Sequence, residues 1–166
     1  MKKLTLVAGL LLSGFSSLYA QDKAYNFSIR PTVGYAVGND IWGALHGVGG
    51  SAEIQIDSRL SDKLKVYTSA GLGSFAAIGS TGKDSGTTLF PIMLGLEYDA
   101  NKLHLGFGAG YTTARLGELE STGGVSIRPE IGWNVSKWLQ LNLNYNYTSM
   151  KDYKITYLGI SPVIKF

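Results

Sequence analysis

Apolar and polar residues alternate through most of this chain. The pattern is cleanest between Trp138 and Thr148, where Leu139, Leu141, Leu143, Tyr145 and Tyr147 interleave with Gln140, Asn142, Asn144 and Asn146. A period of two puts these sets on opposite faces of one strand. A soluble sheet shows charge to water. Here the polar face is uncharged amide and the apolar face ends in tyrosines, as in a strand that crosses a bilayer.

The same phase recurs along the chain. Eight strands are predicted, at about Tyr25–Val37, Gly47–Asp57, Lys63–Phe75, Thr88–Asp99, Lys102–Thr113, Gly124–Val135, Trp138–Thr148 and Ile155–Phe166. Each has the roughly ten residues that a tilted membrane strand requires. Ser61-Asp62-Lys63-Leu64, Ala100-Asn101-Lys102-Leu103 and Ser136-Lys137-Trp138-Leu139 share one form, a short polar turn with lysine that opens a strand. They recur at about 35 to 40 residues, the length of two strands and a loop. The segments between them (38–47, 79–87, 116–123 and 150–154) are mostly longer and rich in Gly, Ser and acidic residues. Tight turns alternating with loose loops imply an all-β fold, an eight-stranded antiparallel up-and-down transmembrane β-barrel.

The faces agree from strand to strand. Outward aromatic residues gather near strand ends as two belts. Tyr25, Tyr98, Trp133, Trp138 and Phe166 lie toward the tight turns, and Tyr35, Phe90, Tyr111, Tyr145 and Tyr147 toward the loops. A soluble barrel of lipocalin type, or a sandwich, would invert the faces. Its exterior would then be mostly glycine and amide with a handful of charges, so the membrane reading is preferred.

Composition adds an address. Lys2 and Lys3, the apolar run Leu4–Leu12 and the small-residue site Leu18-Tyr19-Ala20 read as a cleaved signal peptide over 1–20, leaving one domain over 21–166. The formal charge of +3 falls to +1 (3 − 2) without Lys2 and Lys3, so no nucleic-acid footprint remains. With no cysteine, disulfides, thiolate metal sites and an acylated cysteine are excluded.

Together with the final Ser161-Pro162-Val163-Ile164-Lys165-Phe166, these features resemble a small bacterial outer-membrane β-barrel of the OmpX and OmpA-membrane-domain type. The resemblance implies the bacterial outer membrane of a Gram-negative-type cell, with outer-membrane lipid around the barrel. It also implies that Ile160, Ile164 and Phe166, with Pro162 on the same face, are the signal shown to the barrel-assembly machinery. The glycine usual further upstream in that signal is replaced by Ser161, with Gly159 close by. A monomer is expected, with no cofactor.

Three places could carry chemistry. Arg30, Glu53, Asp57, Lys65, Glu97, His104, Arg128, Glu130 and Lys165 all point into the lumen. Eight strands leave an interior that side chains fill, and opposite charges held there should pair. A salt-bridge and amide plug is therefore preferred to a catalytic carboxylate pair. Inward glycines (Gly71, Gly73, Gly106, Gly108, Gly110) make room for large partners such as Tyr67 or leave wet pockets, and a narrow channel for small solutes stays open on that ground.

A lipid A-modifying enzyme is the second possibility, because barrels of the resembled type include deacylases that carry His-x-Ser. Neither His46-Gly47-Val48 nor His104-Leu105-Gly106 has that pattern, so no enzyme is expected. The outer loops, with Asp40, Trp42, Leu45, Asp84, Glu118 and Glu120, are the third. They would serve an unidentified loop-binding partner, in surface interaction or envelope integrity. Trp42 is read as an interfacial anchor in preference to a ligand contact. No spacing matches an EF-hand or a zinc ligand set. Pro31, Pro91, Pro129 and Pro162 each predict a bulge or a weak pairing.

Overall fold

The computed structural model describes residues 25–38, 42, 46–77, 86–116 and 121–166. The expected signal peptide and the loop residues Asp40, Leu45, Asp84, Glu118 and Glu120 lie outside them. Eight strands form: β1 Tyr25–Ala36, β2 His46–Arg59, β3 Leu64–Ala77, β4 Thr87–Ala100, β5 Leu103–Leu116, β6 Thr122–Asn134, β7 Leu139–Ser149 and β8 Lys154–Lys165. They pair antiparallel in sequence order, and β8 returns to β1 to close the barrel. Every expected strand is present, most of them longer at the loop end.

The tight turns are built from local side-chain chemistry. In two of them a serine bonds back to the chain. Leu64 N donates to Ser61 Oγ at 3.2 Å, and Leu139 N to Ser136 Oγ at 3.1 Å. Leu64 O and Leu139 O each accept two backbone bonds that close the same turns. In the β4–β5 turn Asn101 takes φ 58°, a left-handed conformation that asparagine tolerates and most side chains do not.

The faces are inverted relative to a water-soluble domain. Large apolar side chains stand on the outside, as with Val33 at 66 %, Ile92 at 58 % and Leu143 at 50 % exposure. Arg30 at 0 % and Glu53 at 2 % are buried inside. In water that exterior would be an apolar patch far beyond what a soluble protein shows; in a bilayer it is solvated by lipid. Of the residues expected in the belts, Tyr25, Tyr35, Phe90, Tyr98, Tyr111, Trp133, Trp138 and Tyr145 are exposed, and Tyr147 is half-buried. Ile160 on β8 and Phe166 just beyond its end are exposed, and Ile164 is half-covered.

No proline makes a bulge. Pro31 and Pro162 fall in a break of the β1–β8 ladder, Pro91 in one of β3–β4, and Pro129 in one of β6–β7. In each case the pairing resumes in the same register. Loss of an N–H weakens one seam locally without adding a residue to either strand.

Candidate functional site in the barrel lumen

Alternation alone places these side chains, since every second residue of each strand points inward. At the tight-turn end is a vestibule of about 540 Å³. Here Lys65 Nζ pairs with Asp99 Oδ2 at 2.8 Å, and Asn134 Nδ2 donates to Asp99 Oδ1 at 3.1 Å. Asp57 accepts from Asn26 Nδ2 at 3.0 Å, and Lys165 Nζ donates to Asn134 Oδ1 at 3.0 Å. Neither Asp57 nor Lys165 forms an ion pair among the described residues.

Above the vestibule lies the charged tier. Arg30 forms an ion pair with Glu130 through both terminal nitrogens and reaches Glu97 Oε1 at 3.5 Å and Gln55 Oε1 at 2.8 Å. Arg128 Nη1 lies 2.6 Å from Glu53 Oε1, and Ser69 Oγ donates to Glu53 Oε2 at 2.8 Å. Gln55 Nε2 donates to Glu97 Oε1 at 2.8 Å. Both guanidinium groups lie near the ring of Tyr67, 5.8 and 6.0 Å from its centroid, within cation–π range. Its ring needs the space left by Gly95 and Gly108, where any Cβ would collide with it. Seven of the nine residues expected in the lumen network thus meet in ion pairs, and Asp57 and Lys165 take amide partners instead.

Further along, the wall is lined by amide and hydroxyl groups. Asn146 Nδ2 donates to Asn144 Oδ1 and Asn144 Nδ2 to Ser161 Oγ, both at 2.6 Å. Ser126 joins Thr112 at 2.6 Å and Thr148 at 2.8 Å. The cavity here is small, about 10 Å³, the size of one water.

Toward the loop end the described residues hold a buried apolar cluster of Ala36, Trp42, Phe75, Leu89, Ala114, Met150, Ile155 and Tyr157. Trp42 belongs to it, and its position corrects the interfacial-anchor reading. At 2 % exposure it faces neither lipid nor water, packing edge-on against Phe75 and donating from Nε1 to Thr156 O at 2.8 Å. Its loop position hid this. The inward row Leu89, Pro91 and Met93 on β4 was the available sign that one end of the lumen is apolar.

Two chemical possibilities can be weighed on this geometry. Ligand atoms of Glu97, His104 and Glu130 lie within 4.8 Å of one another, close enough for a divalent cation. The Arg30 guanidinium already bonds both carboxylates, so a cation there would have to displace a fully buried arginine. The ring nitrogens of His104 both meet carboxylates, Asp99 Oδ1 at 2.9 Å and Glu130 Oε1 at 3.3 Å, and no hydroxyl. Among the described residues it has no serine partner of the kind a Ser–His pair requires. The side chain of His46 lies outside the description. Asp99, Gln55 and Ser69, all central to the network, were not singled out by sequence. Asp99 sits beside the turn, where charge reads as solvated.

The sequence profile of the outer membrane protein β-barrel domain family matches residues 8–166. The chain belongs to that family. It is an outer-membrane protein of the bacterial envelope, and solved barrels share its fold. Ail, the attachment invasion locus protein of Yersinia pestis, superposes with a TM-score of 0.63 at 11 % identity, covering 88 % of this chain and 100 % of Ail. The N-terminal barrel domain of Pseudomonas aeruginosa OprF gives 0.62 at 9 % identity, with 87 % and 100 % covered. Neisserial surface protein A gives 0.54 at 14 %, with 88 % and 100 % covered. No curated protein sequence matches the chain.

Proposed function

We propose that this outer-membrane barrel is closed to solutes and acts through its external loops, in surface interaction or in keeping the envelope intact. The observation that carries the reading is the filled lumen. An apolar plug around Trp42 sits over an amide layer, which sits over paired arginines and carboxylates that are themselves buried. A solute would have to break the buried Arg30–Glu130 and Arg128–Glu53 pairs, at a cost of several kcal/mol each. With the interior occupied, the loops are what remains free to work, on a partner whose chemistry the sequence does not name.

The barrel is read as a monomer without enzymatic activity, supported by a His104 whose two nitrogens are held by carboxylates. Ile160, Ile164 and Phe166, aligned on the outer face of β8, suit a contact with the barrel-assembly machinery. Planar-bilayer recording on the purified protein tests closure. A flat trace is expected, and discrete conductance steps would replace this reading with a narrow channel. Unchanged lipid A on overexpression is the matching expectation for the absence of catalysis. A partner captured by the native barrel and lost when the loops are trimmed to tight turns would place the activity on them.

A further inference from the structure

The seam between β1 and β8 closes the barrel, and its bonding can be counted from its ends. Phe166 N donates to Phe27 O at 2.8 Å, and Val37 N to Thr156 O at 3.0 Å. Bonded pairs in an antiparallel ladder recur at every second residue. Those of this seam are therefore Phe27–Phe166, Ile29–Ile164, Pro31–Pro162, Val33–Ile160, Tyr35–Leu158 and Val37–Thr156. The pair near the middle consists of two prolines. Neither has an N–H, so both cross-seam donors are lost at one step. Pairing stops after Ile29–Ile164 and resumes at Val33–Ile160. The main chain thus runs about 14 Å between bonded pairs.

The other two breaks are milder. Pro91 and Pro129 also fall at bonded positions, but they face Gly71 and Tyr145, which keep their own N–H groups. Among the described residues, only the closing seam loses both donors of one pair. Lipid offers no water to replace them, and on that side Val33 and Ile160 are exposed beside the half-buried rings of Pro31 and Pro162.

On the lumen side the break is bridged by side chains. Thr32 Oγ1 and Ser161 Oγ lie 2.7 Å apart, and Asn144 Nδ2 donates to Ser161 Oγ at 2.6 Å. Three strands, β1, β8 and β7, are tied by this staple. Gly159 leaves the room for it, since a Cβ there would come within 2.7 Å of Thr32 Cγ2 and 2.6 Å of Asn144 Oδ1.

We propose that β1–β8 is the line along which this barrel opens sideways, with the Thr32–Ser161–Asn144 staple as its fastening in place of the missing ladder step. The seam opens before any other does. It exposes the uncharged amide and hydroxyl layer of the lumen and frees the inner edge of the strand that carries Ile160, Ile164 and Phe166.

Amide hydrogen exchange on the full protein in lipid nanodiscs tests this. The comparison seam is β4–β5, which is paired without a break from Thr87–Leu116 to Ala100–Leu103. Amides of Ile29, Val33, Ile160 and Ile164 are expected to exchange at least tenfold faster than those of Ile92, Leu94, Ala109 and Tyr111. Restoring both donors with Pro31→Ala and Pro162→Ala should slow the first set at least tenfold and leave the second unchanged. Thr32→Val, which removes the staple, should speed the first set alone. Equal exchange at the two seams in the native protein would overturn the proposal, as would restored donors that change nothing. The native comparison decides by itself if a variant fails to fold.

Discussion

Replacing Arg128 by methionine removes a guanidinium 2.6 Å from Glu53 Oε1, in a pair whose side chains are no more than 3 % exposed. At an effective dielectric of about 20, the attraction at that distance is about 6 kcal/mol, and desolvation of the two ions cancels a large part of it. The single substitution leaves Glu53 buried with Ser69 Oγ, at 2.8 Å, as its remaining donor. Orphaning one partner of such a pair costs about 3–5 kcal/mol. Glu53→Leu alone leaves Arg128 buried with Glu130 Oε2, at 3.9 Å, as its nearest remaining carboxylate, and should cost a similar amount. The double variant removes both charges and keeps apolar bulk in their place, so it should lose only about 0–2 kcal/mol. The expected coupling is therefore about 4 kcal/mol or more. Urea unfolding from lipid vesicles, followed by tryptophan emission and by the gel shift between unheated and boiled samples, measures all four corners of the cycle. A single-variant cost under about 1 kcal/mol, or two costs that simply add, would mean that water solvates the pair. The lumen would then be open at this level, and the closed-barrel reading would fail.

Other perturbations separate the layers. Gly95→Val drives a side chain into the Tyr67 ring and should destabilise by about 1–3 kcal/mol, with Tyr67→Ala in the same chain relieving part of it. Trp42→Ala removes the largest side chain of the apolar cluster and should cost about 3–5 kcal/mol in the same urea assay. Bilayer traces of that variant should stay flat, because the Arg30 tier still closes the lumen below. Leu94→Arg puts a cation on the lipid face near mid-strand and should cost about 2–4 kcal/mol, whereas the same change at the exposed Leu60, in the β2–β3 tight turn, should cost less than about 1 kcal/mol.

The fold was legible because alternation is the whole physical requirement for a strand with lipid on one side and a lumen on the other. Leu139 to Thr148 shows both environments in ten residues, and the serine and asparagine turns announce themselves chemically. The lumen was legible in membership more than in partnership. Phase alone places Arg30, Glu53, Arg128 and Glu130 inside, but pairing depends on the relative heights of β1, β2 and β6, which sequence does not state. Asp99 was passed over because a carboxylate beside a turn reads as solvated, although here it takes Lys65, His104 and Asn134. Trp42 was misplaced because a loop residue has no period to fix its direction. The prolines carried a true signal, and register resolved it. Only the pairing of β1 with β8 brings Pro31 opposite Pro162, and those residues are 131 apart (162 − 31) in the chain.

A nitroxide scan along β7 tests the central claim most directly, and the absence of native cysteine allows single labels at each position from Leu139 to Thr148. In lipid vesicles, labels at Leu139, Leu141, Leu143 and Tyr145 should relax with oxygen, which concentrates in the bilayer. Labels at Gln140, Asn142, Asn144 and Asn146 should be reached by neither oxygen nor a water-soluble nickel chelate, because the lumen behind them is filled. Nickel access at the asparagine positions would show an open aqueous interior, and nickel access at the leucines a barrel that is not in the membrane. Either result contradicts a closed outer-membrane barrel.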